Sequence, residues 1–275
     1  MGLRISTNIA SMAANRALQA NSSEQAKSFQ RLATGSRIVS SSDDAAGLSI
    51  AENLKAQVRS LSQAERNAND GISFIQVAEG GMNEVSNILV RMRELAIQGA
   101  SDTVGDTERG FINKEVQSLK GEVDRIAKST SFNGTPLLSG DAGRELSFHI
   151  GTRKDDHIEF DPNNYNVKAS KLNIDGVDYS SIDGARDAIE NVDKALNYVS
   201  GARAELGANQ NKLQSSINNL GVARENYNAA RSRIMDTDVA AETSNLTRGN
   251  ILQQAGISVL SQANSSPNSA LRLLT

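Results

Sequence analysis

No cysteine and no tryptophan occur in this chain of 275 residues, proline appears three times, and aromatic residues make up 4 % of it. Without cysteine there is no disulfide framework and no thiolate metal site. So few aromatics argue against a compact enzyme core, which normally gathers several large rings because each buries much apolar area. No stretch approaches the roughly 20 apolar residues needed to span a bilayer. The start, Met1-Gly2-Leu3-Arg4-Ile5-Ser6-Thr7-Asn8, lacks an apolar run followed by a cleavage site, so an ordinary signal peptide is not expected and any export takes another route. The formal charge of −3 is small and mixed in sign, which leaves no footprint for nucleic acid or for an anionic membrane.

What is present is periodicity. A seven-residue apolar ladder runs Leu54, Leu61, Ala68, Ile75, Met82, Leu89, Ala96, with Ala64, Ala78, Val85 and Met92 at offset three. A matching ladder runs Val192, Val199, Leu206, Leu213, Leu220, Tyr227, Ile234. Unbroken heptads of this length predict coiled-coil or long-bundle helices. At 1.5 Å per residue each would be roughly 70–80 Å long, and only a partner of equal length can cover such a seam. A shorter helix is predicted between them from Ile112, Val116, Leu119, Val123 and Ile126, ended by Phe132-Asn133-Gly134-Thr135-Pro136. The first long helix begins near Asp43-Asp44-Ala45-Ala46-Gly47, where a short acidic side chain can cap the free N–H groups.

The middle alternates instead. Glu145 to Ile150 and His157 to Phe160, joined by Gly151-Thr152-Arg153-Lys154-Asp155-Asp156, predict a β-hairpin, and Lys171-Leu172-Asn173-Ile174 is a candidate further strand. The ends carry weaker stripes: Ile5, Ile9 and Met12 at one, and Ile251, Ala255, Val259 with Leu271 and Leu274 at the other. Such helices bury too little alone to offset their ordering entropy, so they are expected to order when a partner covers them. The predicted fold class is mainly α, a long antiparallel helical bundle formed by the N- and C-terminal halves with a small central β-hairpin region.

Nothing assembles into a catalytic set. No His-Glu-x-x-His and no phosphate-cradling glycine loop is present; Glu79-Gly80-Gly81 falls inside a predicted helix and marks a bend or close packing. The only histidines, His149 and His157, fall on opposite hairpin strands beside Asp155, Asp156 and Glu159, and an exposed charged turn explains them better than a metal site. No cofactor and no enzymatic activity are expected.

Several segments at both ends resemble the bacterial flagellin family. Towards the N-terminus these are Ile5-Ser6-Thr7-Asn8, Arg31-Leu32-Ala33-Thr34-Gly35-Ser36-Arg37-Ile38, Asp43-Asp44-Ala45-Ala46-Gly47, Arg66 to Ser73 and Arg91-Met92-Arg93-Glu94-Leu95-Ala96. Towards the C-terminus they are Leu206-Gly207-Ala208, Ala230 to Ile234, Ile251-Leu252-Gln253-Gln254-Ala255-Gly256 and Val259 to Asn264. The resemblance implies a secreted structural subunit that polymerises into the flagellar filament used for swimming, exported unfolded by a type III apparatus and folded at the filament tip. It implies that residues 1–42 and 236–275 form an inner polymerisation domain carrying Ile5, Ile9, Met12, Ile251, Ala255, Val259, Leu271 and Leu274. Residues 43–138, 139–183 and 184–235 would form the rod: long and short helices, hairpin region and returning long helix. Implied partners are further copies of the chain, the filament cap and hook–filament junction proteins, and an export chaperone acting through the C-terminal segment. Some flagellins are also bound by a vertebrate toll-like receptor, and the corresponding positions here are Arg91, Leu95 and Glu115, with Arg91 and Leu95 one turn apart as a cation beside an apolar anchor. The nearest alternative is a hook–filament junction protein, from which the Asp43 to Gly47 and Ile251 to Gly256 segments depart.

Overall fold

The computed structural model describes residues 7–143 and 145–271, the side chains of 267–271 excepted. Ile5, Leu274 and the side chain of Leu271 therefore lie outside the described residues. The order is α1 (Ile9–Thr34), α2 (Ala45–Gly99), α3 (Asp106–Ser129), β1 (Ser131–Phe132), β2 (Thr135–Pro136), β3 (Leu146–His149), β4 (His157–Phe160), a 3-10 turn over Pro162–Tyr165, α4 (Ile182–Met235) and α5 (Val239–Leu271). The fold is mainly helical with a small hairpin region, as expected. It divides into a terminal unit, Met1–Gln57 with Asn226–Thr275, and a central unit, Val58–Glu225. Both divisions fall within the long helices α2 and α4, whereas the sequence suggested boundaries at the loops near 42 and 236.

In the central unit the heptad ladder is the core. Ala68, Ile75, Met82, Leu89 and Ala96 of α2 are buried with Val192, Val199, Leu206 and Leu213 of α4 and Ile112, Val116, Val123 and Ala127 of α3. Leu61, Ala64 and Leu220 form a smaller buried group. Leu54 is half-buried and Tyr227 is exposed, and both belong to the terminal unit. A heptad step fixes the stripe on which a residue lies, and burial further requires a neighbour that covers it.

Two features of this unit lie outside the periodic signal. Five of the ten aromatic rings gather in one cluster: Phe74 meets Phe132, Phe148 and Phe160 edge-on at 5.7, 5.5 and 5.0 Å, and Phe160 stacks on Tyr165 at 4.8 Å. Edge-to-face geometry adds to area burial, so the hairpin is bolted to α2 by rings from β1, β3 and β4. Gly71 makes room for it, since a Cβ there would stand 3.3 Å from Phe148 and 3.2 Å from Leu213. The second feature is the segment after β4. Lys171 to Asn173 form a turn, with Asn173 at a φ of 60°, and not the suggested strand. Its Val167, Leu172, Ile174, Val177 and Tyr179 are buried all the same. These positions point inwards at uneven spacing and without a sheet partner, because the helices α2 and α3 supply the surface they bury against.

Turn chemistry follows the sequence closely. Asn133 and Gly134 both have positive φ and join β1 to β2 in a tight hairpin of the type I′ kind. Gly81 is a close-packing position, where a Cβ would stand 2.7 Å from Leu138 and Thr130, whereas Gly80 faces open space. Arg109 is almost fully buried and donates to the carbonyls of Gly99 at 2.9 Å and Ser101 at 3.1 Å, with Asp106 at 2.8 Å. It thus satisfies carbonyls that the end of α2 leaves without helical partners.

Candidate assembly surface

α1 and α5 pair antiparallel in the terminal unit. The amide of Asn8 donates to Ala263 O and that of Asn21 to Gly249 O, each at 2.8 Å, and Gln25 donates to Asn250 at 3.0 Å. Arg31 stands 3.8 Å from Glu242. Along α5 the residues turned inward are Glu242, Leu246, Gly249, Gln253, Gly256, Leu260 and Ala263, and along α1 they include Ala14, Leu18, Asn21, Gln25 and Ser28. The steps of three and four are those of a coiled-coil seam, whose knobs mix Leu18, Leu246 and Leu260 with small and polar residues. Two glycines bring the helices close: a Cβ at Gly249 would stand 2.7 Å from Gln25, and one at Gly256 would stand 2.6 Å from Leu18.

Most of the large apolar side chains face the other way. Ile9, Met12, Phe29, Ile251, Leu252, Ile257 and Val259 are 53 to 67 % exposed, and Ala255 is exposed beside them. The apolar stripe recognised in the sequence therefore lies on the outside of the α1–α5 pair. Hydrogen bonds from Asn and Gln fix the register within the pair, and apolar surface is left over for another partner.

Where α1 ends and α5 begins, backbone bonds close the pair. Arg37 N donates to Met235 O at 2.6 Å, Thr237 N to Gly35 O at 3.0 Å, and the Arg37 guanidinium to Ile234 O at 2.7 Å. Gly35, at a φ of 68°, supplies the left-handed residue that stops α1. Asp43 accepts from the backbone N–H groups of Ser40 and Val39 at 3.0 and 3.1 Å, and these donors hold its carboxyl below the usual range. Asp44 accepts from Gly47 N at 2.8 Å, and a Cβ at Gly47 would lie 2.4 Å from that carboxylate. The Asp-Asp-Ala-Ala-Gly run is thus a packed helix start in which Gly47 lies close against the Asp44 carboxylate that caps it.

The three positions tied to receptor recognition separate. Arg91 is half-exposed and donates to Glu115 at 3.0 Å and Glu94 at 3.0 Å. Leu95 is 2 % exposed and belongs to the core, which corrects its reading as a surface anchor beside Arg91. Arg91–Glu115 ties α2 to α3, and Arg93 binds Asp193 of α4 at 2.6 Å. With a helix against each side of α2, the buried arc is wide enough to take in Leu95. The two histidines are exposed and face each other across the hairpin, His149 opposite His157. Among the described residues no group of three His, Cys, Asp or Glu side chains is placed to hold a metal ion, and no helix is long and apolar enough to cross a membrane.

A helix pair that leaves a row of large apolar side chains facing outwards, with no metal-holding group among the described residues, defines a structural subunit. Comparison with known proteins gives the particular kind. The chain belongs to the bacterial flagellin family: residues 5–142 match the bacterial flagellin N-terminal helical region and residues 189–274 the C-terminal helical region. It is 41 % identical to a flagellin of Halalkalibacterium halodurans, covering 98 % of this chain and 99 % of that one. It is 37 % identical to flagellin A of Vibrio cholerae over an alignment of 379 positions that takes in the whole of both, and 38 % identical to a flagellar filament 30.7 kDa core protein of Treponema maltophilum over 98 and 99 % of the two chains. Among solved structures, the crystal structure of Bacillus cereus flagellin matches with a TM-score of 0.52 at 28 % identity, over 56 % of this chain and 88 % of that one. A flagellar hook-associated protein of Vibrio parahaemolyticus shares the fold with a TM-score of 0.57 at 17 % identity, over 70 % of this chain and the whole of the other. That likeness concerns the fold alone, while the sequence relatives over the full length are flagellins and filament proteins.

Proposed function

We propose that this chain is the structural subunit of a bacterial flagellar filament, polymerising through the outward faces of α1 and α5. The observation that carries this is the terminal pair: a seam tied by Asn and Gln hydrogen bonds inside, and Ile9, Met12, Phe29, Ile251, Ile257 and Val259 left outside. A contact between two different surfaces, repeated by rotation and translation, does not close and builds an open tube. Burying those side chains between copies supplies the drive, at about 25 cal/mol for each Å² of apolar surface removed from water. The subunit acts outside the cell as scaffold, in a family of structural proteins.

The test is polymerisation of purified monomer on seeding or salting-out, followed by electron microscopy. Wild type forms long filaments; removal of residues 236–275 abolishes them. Short, non-extending assemblies from the wild type would refute the reading. Circular dichroism adds a second check, since the terminal helices gain order as copies cover them.

The finer partners rest on family resemblance: cap and junction proteins at the filament ends, and an export chaperone on the α5 segment before assembly. For a vertebrate toll-like receptor, Arg91 and Glu115 are available as an exposed ion pair, and Val90 and Ile97, seven residues apart on one stripe of the same stretch of α2, are exposed apolar residues. A receptor reporter assay should then respond to Arg91→Ala and Val90→Ser. A response lost only with destabilisation, as in Leu95→Ala, would sink this part.

A further inference from the structure

The register of the outer hairpin places the only two histidines of the chain on one rung, His149 opposite His157. The next rung towards the turn is hydrogen-bonded, with Ile150 N donating to Asp156 O at 2.9 Å. Bonded and non-bonded rungs alternate in an antiparallel ladder, so the histidine rung is a non-bonded one, the kind in which opposite side chains come closest. His149 O accordingly points away from β4 and accepts from Asn67 of α2 at 2.9 Å, which holds this strand in place. On such a rung the Cβ atoms stand about 4.5–5.5 Å apart and both side chains leave the same face. Two imidazoles in that relation can each reach one ion at the roughly 2.0–2.1 Å that nitrogen ligation requires.

The face they share is the solvent side. His149, His157 and Glu159 are exposed, while Phe148, Ile158 and Phe160 turn to the aromatic cluster. Glu159 stands 3.3 Å from His157, and its carboxylate favours a cation at this corner. Neither imidazole belongs to the apolar core of the central unit, and β3 and β4 are held by Phe74 and Asn67.

We propose that His149 and His157 form a two-histidine cross-strand site for a divalent transition-metal ion of the class that imidazole prefers, Zn²⁺, Ni²⁺ or Cu²⁺, with water completing the coordination. The inference does not depend on the filament reading. The ion would bind the folded hairpin and not the unfolded chain, so it would also raise the stability of the central unit.

The experiment is a ZnCl₂ titration of the full-length monomer in a non-chelating buffer, followed by calorimetry and by histidine side-chain NMR. The variants are His149→Thr, His157→Thr and the double substitution; threonine suits a strand and keeps the hairpin, which circular dichroism checks. The expected result is saturable binding with the shifts centred on both histidines. Each single variant should fall to the affinity of the double variant, because one imidazole alone does not chelate. Mg²⁺, a hard cation that prefers oxygen, should not compete. Zn²⁺ should raise the melting temperature of the wild type only. Wild-type affinity in either single variant, equal competition by Mg²⁺, or the same thermal response in the double variant would overturn the assignment.

Discussion

The two units solve the same pattern in opposite ways. In the central unit the heptad positions meet across the monomer, so Ile75, Met82, Leu89, Leu206 and Leu213 are buried and the charged residues are outside. In the terminal unit the seam between α1 and α5 sets Leu18, Leu246 and Leu260 among Asn, Gln, Ser, Gly and one buried glutamate, and Ile9, Met12, Phe29, Ile251, Ile257 and Val259 are outside. Burial of apolar surface is the main favourable contribution to folding. The central unit can therefore draw its stability from within, while the terminal unit leaves much of its apolar surface uncovered in the monomer.

The largest test of that contrast exchanges the two kinds of apolar residue. Leu213→Ala should cost the monomer about 2–5 kcal/mol through the cavity it leaves, seen as a lower midpoint in urea, and leave polymer contacts untouched. Ile257→Ser should change monomer stability by less than about 0.5 kcal/mol and yet prevent filament growth. If Ile257→Ser destabilises the monomer as much as Leu213→Ala does, the contrast fails.

Tyr179 gives a pH-dependent version. Its side chain is fully buried, its hydroxyl donates to Met92 O at 3.2 Å, and burial pushes its pKa from 10 up to about 12. Because the folded pKa lies above the unfolded one, the unfolded chain gives up the proton first. The contribution is fully present below pH 10 and is lost as pH rises towards 12, amounting to on the order of 2–3 kcal/mol. Tyr179→Phe should flatten this alkaline decline in the unfolding of the central unit and leave α1–α5 amide exchange unchanged. A decline of the same steepness in the variant would assign it to other groups.

Arg109→Ala comes next. It strands the carbonyls of Gly99 and Ser101 at the end of α2 and should cost about 2 kcal/mol, measured by thermal melting. Arg109→Lys should recover only part of it, because an ammonium cannot reproduce the forked donation. The smallest effect belongs to the surface pair. Arg91→Ala and Glu115→Ala should leave the melting temperature unchanged, since both partners are about half-exposed and solvent screens them.

The same contrast explains which parts of the molecule were legible beforehand. The ladder from Leu61 to Ala96 and its counterpart from Val192 to Leu220 announce themselves by period alone, because a buried seam must be apolar at every rung. Asn133-Gly134 declares its turn for the same local reason, a need for positive φ. Residues 161–181 were less readable: Tyr165, Val167, Ile174 and Tyr179 are buried without a regular ladder, and aperiodic burial leaves no period to detect. Leu95 misled because a spacing of four residues names a shared face without saying how much of that face is covered. At the ends, the stripe of Ile251, Ala255 and Val259 was visible, but its direction was not.

Sequence by itself determined the helices, the tight turn at Asn133-Gly134 and the hairpin, since these follow from local propensity and from apolar period. Tertiary structure decided three further matters. It placed Arg91 at the surface and Leu95 in the core, because α3 and α4 flank α2 on both sides. It set His149 on the same rung as His157, because register is a property of two strands. And it turned the stripe of Ile9, Met12, Ile251, Ala255 and Val259 outwards, because hydrogen bonds from Asn8, Asn21 and Gln25 and the close approach at Gly249 and Gly256 fix which faces of α1 and α5 meet.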